Sequence, residues 1–272
     1  MTTRTVLLAG LIAIGVSIAA SASATARSEP ADDSWPSLRR DLFENREISE
    51  NSAFVVLEAP FKAEDAALVP MTMSVRQPYG DPRRVVKMSL VINENPVPLA
   101  GTFTLGENSG IVQISTRVRL NANTYVHLVA ELSDGSLTES KRYVYAAGGC
   151  SAPASKTVDE LASSLGQLKF RLLPSLVRGR REAEVMIRHP NFTGMQMDQT
   201  THDYTPARYI DRFTVYQGDE LLFSVDGGIS ISENPNFRFA FAADPKRTLR
   251  VEAGDIAGAR FTSAWPLIPE GG

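Results

Sequence analysis

The 272 residues include 28 Lys or Arg against 31 Asp or Glu, giving a net charge of −3, and 43% are hydrophobic. Basic and acidic residues alternate instead of clustering. No basic patch exists to neutralise phosphates, and no polybasic stretch to meet an anionic membrane, so the expected partners include neither nucleic acid nor membrane.

At the start of the chain, Arg4 precedes an uncharged apolar run from Val6 to Ala20. The small residues Ser21-Ala22-Ser23-Ala24-Thr25-Ala26 follow. Residues 1–26 therefore read as a cleavable export signal, cut after Ala24 or Ala26 and too short to span a bilayer comfortably. No cysteine lies near the cut to take a lipid anchor, and no later stretch is apolar enough to cross a membrane. The expected location is the periplasm or outside the cell. Roughly 245 residues remain, enough for one large domain or two ordinary ones.

A short helix is predicted first, with Ser34 as its cap, Pro36 at its first position and Trp35, Leu38, Leu42 and Phe43 on its apolar side. The period then changes to two. Strands are predicted over Ala53–Leu57, Val69–Arg76, Val85–Ile92, Leu99–Leu105, Ile111–Leu120, Tyr125–Leu132 and Leu137–Tyr145. In the fifth, Val112, Ile114, Thr116, Val118 and Leu120 share one face, with Gln113, Ser115, Arg117 and Arg119 on the polar one. Turn residues such as Asn93-Glu94-Asn95-Pro96 and Ser133-Asp134-Gly135-Ser136 separate the strands, the pattern of a β-sandwich.

From Gly148 to Gly166 the pattern breaks. A stretch of glycine, serine, alanine and proline leads into a brief helix, for which Thr157 and Glu160 have capping-box spacing and Gly166 is the terminator. This reads as a domain boundary. Strand patterns resume at Leu168–Leu172, Glu184–Arg188, Tyr209–Tyr216, Glu220–Val225, Phe237–Phe241, Thr248–Ala253 and Arg260–Ala264, and Phe237, Phe239 and Phe241 alternate toward one core. The predicted fold class is all-β: two immunoglobulin-like antiparallel β-sandwich domains, packed on one another and joined by a linker with a short helix.

Cys150 is the only cysteine. In an exported protein an unpaired cysteine is either a free reactive thiol or a bond to another molecule. Its setting, Gly148-Gly149-Cys150-Ser151-Ala152-Pro153, makes a poor core strand and reads as an exposed, flexible arm. A small buried apolar residue is the competing reading.

Gly148-Gly149-Cys150 at the end of a sandwich domain resembles the SoxY sulfur carrier. Ile187-Arg188-His189-Pro190-Asn191-Phe192-Thr193-Gly194, Pro206-Ala207-Arg208-Tyr209-Ile210 and Ser232-Glu233-Asn234-Pro235-Asn236-Phe237-Arg238-Phe239 resemble its SoxZ partner. The order is that of fused SoxYZ-like carriers associated with quinoprotein dehydrogenases. The resemblance implies residues 27–147 as a SoxY-like domain, 148–166 as cysteine arm and linker, and 167–272 as a SoxZ-like domain. It implies a carrier, not an enzyme: Cys150 holds a sulfur-containing intermediate covalently, and Gly148, Gly149, Ser151, Ala152 and Pro153 form the arm. The implied partners are periplasmic sulfur-oxidation or quinoprotein dehydrogenase components. No cofactor is assigned, and nothing in the residues identifies a pyrroloquinoline quinone site. One departure stands out, because family carriers end shortly after the cysteine whereas this chain continues, tying the arm at both ends.

Two other classes remain open. His189, Met195, Met197 and His202 bring two imidazoles and two thioethers into one loop region, a donor set suited to Cu(I) and a copper-handling protein. A non-covalent accessory protein of a periplasmic dehydrogenase is the other. A cysteine hydrolase fits poorly, since a catalytic thiol needs an oriented histidine base on pre-organised support, and a mobile glycine arm is the opposite of that. His127, on a strand's polar face, reads as a solvated residue.

Overall fold

A computed structural model describes residues 30–50, 53–153, 163–197 and 201–268. The export signal and the capping pair Thr157 and Glu160 lie outside the described residues.

Helix α1 (Trp35–Phe43) starts where proline's fixed φ suits a first turn. The Ser34 side chain does not cap it and donates to Glu94 Oε1 at 2.5 Å instead. Its apolar side, Trp35, Leu38, Leu42 and Phe43, packs over Ile48, Val91, Val129 and Leu137 on the outer face of a sheet.

The strands of the first half are β1 (Ile48–Ser49), β2 (Val55–Glu58), β3 (Val69–Val75), β4 (Val85–Ile92), β5 (Leu99–Leu105), β6 (Gln113–Val118), β7 (Thr124–Leu132) and β8 (Leu137–Val144). Those of the second half are β9 (Leu168–Pro174), β10 (Arg181–Ile187), β11 (Ile210–Gln217), β12 (Glu220–Gly227), β13 (Asn236–Phe241), β14 (Thr248–Asp255) and β15 (Arg260–Pro266). Each predicted strand has its counterpart within a few residues. Only β1 was not anticipated, being two residues long and too short to show a period; it pairs in parallel with β8.

Both halves are immunoglobulin-like sandwiches, as expected, but they do not meet as two separate bodies. Strand β5 pairs antiparallel with β12, from Gly101 opposite Gly227 to Leu105 opposite Phe223. Strand β6 pairs with β13, from Gln113 opposite Ala240 to Ser115 opposite Arg238. The sheets are therefore continuous across the domain boundary: a nine-stranded sheet β1-β8-β7-β4-β5-β12-β11-β14-β15 and a six-stranded sheet β2-β3-β6-β13-β10-β9. An unpaired edge is a row of unsatisfied donors and acceptors, and each half supplies two such edges to the other. One core runs from Phe54 to Leu267 through both halves, with Phe103, Phe223 and Phe237 at the join. Period-two patterning tells which face of a strand is buried but not which edge it pairs, so residue patterns alone suggested packing instead of pairing.

Candidate functional site

Past Val118 the chain of β6 continues into Arg119 and Leu120 at one end of the inter-domain seam. The Leu120 amide donates to the Ala66 carbonyl at 2.8 Å. Beyond β8, Tyr145 pairs with Lys62 in a parallel bridge and the chain turns back over this end of the sheet. Gly148 N–H donates to the Asn121 carbonyl at 2.8 Å and Gly149 N–H to the Leu120 carbonyl at 2.9 Å. Only glycine fits at 149, because a Cβ there would lie 2.0 Å from the Ala66 carbonyl oxygen. Gly148 turns the chain at φ +74 with open space around it.

Cys150 is 0% exposed. From the second half, the Thr193 hydroxyl donates to the Cys150 carbonyl at 2.9 Å and the Gln196 amide donates to the Ala152 carbonyl at 3.1 Å. The expectation of an exposed, flexible arm is thus corrected in this structure. Gly149 serves close packing, Ala152 is tied down, and Gly148, Ser151 and Pro153 face solvent. At Gly149 a Cβ is excluded because the backbone lies against the Ala66 and Leu120 carbonyls, whereas Gly148 supplies the positive φ of the turn. Sequence alone does not separate that use of glycine from freedom to move.

Burial pushes the Cys150 thiol above its ordinary pKa, and the positive charge of Arg119 pulls the other way. Arg119 is itself buried, contrary to its place on the polar face of the strand pattern. Its guanidinium donates across the seam to the carbonyls of Ile231 at 2.6 Å, Ile229 at 3.4 Å and Pro190 at 3.5 Å. Burial lowers its pKa, while Glu233 and Cys150 favour its charge. A cation of the first half, solvated by carbonyls of the second, therefore stands beside the only thiol.

The loop bearing Thr193 and Gln196 has its own anchor. His189, 0% exposed, accepts the Asn191 amide at Nδ1, 3.1 Å, and places Nε2 3.4 Å from Asp255 Oδ2. Arg208 Nε donates to the same carboxylate oxygen at 2.9 Å, and the Ala259 amide to the other at 2.8 Å. Farther along, Thr193 N–H donates to Gln196 Oε1 at 3.0 Å and Met195 N–H to the Thr193 hydroxyl at 3.1 Å. Burial pushes the His189 pKa below its usual value, outweighing Asn191 and Asp255.

This anchoring removes His189 from the copper set, since both ring nitrogens already face protein partners in the interior. His202 is exposed at φ +59, and Met197 pairs by backbone with Tyr204. Among the described residues no group of three or more His, Cys, Asp or Glu is arranged to hold a metal. The reading of His127 as solvated also fails. It is fully buried under Trp35, with rings stacked at 3.7 Å, Nδ1 3.1 Å from Glu139 and Nε2 3.2 Å from Asp32. It belongs to the seat of α1 and lies outside the Cys150 site.

Arg119, Thr193 and Gln196 were missed from sequence. For Arg119 no signal existed, because strand alternation points it outward. Thr193 lies within the segment that resembles SoxZ, so its neighbourhood was marked while its contact with Cys150 was not.

A family model for the sulfur oxidation protein SoxY matches residues 39–150, and one for the sulphur oxidation protein SoxZ matches residues 175–266. Among curated proteins nothing matches the chain. Similar solved structures include the sulfur carrier protein SoxY from Chlorobium limicola f thiosulfatophilum, at 21% identity over 42% of this chain and 97% of that one, with a TM-score of 0.33. A superoxide reductase (neelaredoxin) from Ignicoccus hospitalis is 13% identical over 34% of this chain and 79% of its own, TM-score 0.30. A putative superoxide reductase from Thermotoga maritima is 17% identical over 38% and 96%, TM-score 0.31. With the two family matches in chain order on either side of the cysteine segment, the chain is a SoxY domain and a SoxZ domain fused in one polypeptide, the two parts of a sulfur carrier of sulfur oxidation.

Proposed function

We propose that Cys150 carries a sulfur-containing intermediate as a covalent adduct and presents it to periplasmic enzymes that load, oxidise and release it. The observation that carries this reading is that the SoxY match ends on Cys150, the one cysteine of the chain. Loading needs no oxidant if the cargo arrives on a partner's sulfur. The Cys150 thiolate attacks the cargo sulfur, a new S–S bond forms to Cys150, and the partner's sulfur leaves as a thiolate. Arg119 favours the thiolate that starts this exchange and any negative charge the cargo brings. The residue-level chemistry needs no metal and no acid–base dyad.

Sox proteins are periplasmic, and the export signal read over residues 1–26 supports the same destination for this chain. The partners are sulfur-oxidation enzymes able to admit a loop tied at both ends. The link to a quinoprotein dehydrogenase system rests on the resemblance of the fused arrangement. Co-purification of the chain with such a dehydrogenase from native periplasm supports that link, and its absence from a sulfur-oxidation complex isolated intact contradicts it.

The test of the carrier reading is complementation with Cys150→Ala. Alanine suits a buried site better than serine, whose hydroxyl would need a new partner. The variant is expected to fold, as judged by its urea midpoint, and to lose the capacity for sulfur oxidation in the native host. A folded variant that restores full sulfur oxidation contradicts the covalent role.

A further inference from the structure

Two hydrogen bonds from the SoxZ domain hold the cysteine segment of the SoxY domain shut. The Thr193 hydroxyl donates to the Cys150 carbonyl and Gln196 Nε2 to the Ala152 carbonyl. The two side chains are coupled, because Gln196 Oε1 takes the Thr193 amide and the Thr193 hydroxyl takes the Met195 amide. Every polar atom in the set is oriented by another. On the SoxY side, the amides of Gly148 and Gly149 reach the carbonyls of Asn121 and Leu120. With these contacts made, the thiol is wholly out of solvent. A partner's sulfur must come within bonding distance of Cys150 Sγ, so a buried thiol cannot react until the segment moves.

We propose that Thr193 and Gln196 are positioning residues forming a latch that holds Cys150 closed, and that the thiol reacts only from an open state in which both bonds are broken. The closed state shields the thiol from adventitious oxidants. Gly148, with space around it, is the pivot, and Gly149 is the contact that must separate. Because the latch belongs to the SoxZ domain and the thiol to the SoxY domain, a partner that binds across the seam can draw Thr193 and Gln196 aside as it docks. This gives the SoxZ domain a role in timing the chemistry without touching the cargo. Bond breaking at the latch is local opening, and the reactive population follows its equilibrium when opening and closing outpace the chemistry.

The latch rests on the carrier reading for its purpose but not for its test. Rates of Cys150 alkylation by iodoacetamide are measured on the folded chain and divided by the rate for the chain unfolded in urea. The parent protein is expected to react far more slowly folded than unfolded. Thr193→Val is expected to speed the folded reaction about fivefold, the factor that goes with one intramolecular hydrogen bond. Gln196→Met should act in the same direction, and Thr193→Ser, which keeps the hydroxyl, should stay near the parent rate. Gly149→Ala provides an independent variant with the latch residues intact, since its Cβ would collide with the Ala66 and Leu120 carbonyls and force the segment outward. Urea midpoints identify any variant that labels fast merely because it is unfolded. A parent thiol that reacts at the unfolded rate overturns the latch. So do folded Val, Met and Ala variants that all keep the parent rate, or a Ser variant as fast as Val. None of these results bears on whether native Cys150 carries a sulfur adduct.

Discussion

Cys150 and Arg119 were each taken out of water, and the Arg119 charge offsets part of the cost that burial puts on the ionised thiol. A buried thiol resists ionisation, so the native state favours the protonated form more than the unfolded chain does. The sign follows: the thiol's contribution to stability is fully present below the ordinary cysteine pKa, about 8.5, and is lost as pH rises through the folded value. Urea midpoints are therefore expected to fall above pH ~8.5, and Cys150→Ala should remove this alkaline decline. An unchanged decline in the variant would place the titrating group elsewhere. Arg119→Met removes the nearby charge and takes the donor from the seam carbonyls of Ile229 and Pro190, while that of Ile231 keeps the Asn191 side-chain amide. It is expected to cost about 2–4 kcal/mol, from unsatisfied buried acceptors, and to move the pH midpoint of Cys150 alkylation upward. A midpoint that stays in place would separate Arg119 from the thiol's electrostatics.

At the scale of elements, the loop from His189 to Gln196 supports the latch, and the joined strands support the loop. His189 is neutral in the fold because burial opposes its charge. A group whose folded pKa is depressed gives up stability as pH falls below its ordinary value, here about 6.5. Between pH 7 and 5 the latch should loosen, seen as faster reaction of Cys150 with 4,4′-dithiodipyridine, which attacks thiols even in acid. A constant rate across that range would contradict His189 as the anchor. Phe223 sits opposite Leu105 where β5 meets β12, with its ring 5.0 Å from Phe239. Phe223→Ala is expected to cost about 3–5 kcal/mol by urea denaturation, as for other fully buried aromatic truncations. The strands themselves were legible because alternation reports burial directly: Ile114, Thr116, Val118 and Leu120 face inward as their spacing indicates, as do Phe237, Phe239 and Phe241, while Val112 is half-buried. The edge pairings were not, since hydrogen-bonding edges are backbone groups that carry no residue signature. The thiol's burial was hidden for the same reason, as it depends on carbonyls of Ala66, Leu120 and Asn121.

For the whole molecule, continuous sheets and a shared core imply that the two domains fold as one unit. Each domain supplies one tryptophan, Trp35 over the first sheet face and Trp265 stacked on Phe170 at 5.2 Å. In Trp35→Phe and Trp265→Phe variants the remaining tryptophan reports on one domain alone, and both urea transitions are expected to coincide within error. Well-separated midpoints would mean that the seam is weaker than its pairing indicates. Fusion thus makes permanent a contact that places the latch of one domain over the thiol of the other. Whether that thiol carries sulfur is read most directly from the intact mass of protein purified from its native periplasm without reductant. The account predicts a fraction with added mass, located on the peptide bearing Cys150 and removed by dithiothreitol. Native protein from cells actively oxidising sulfur compounds that shows only the unmodified mass would contradict it.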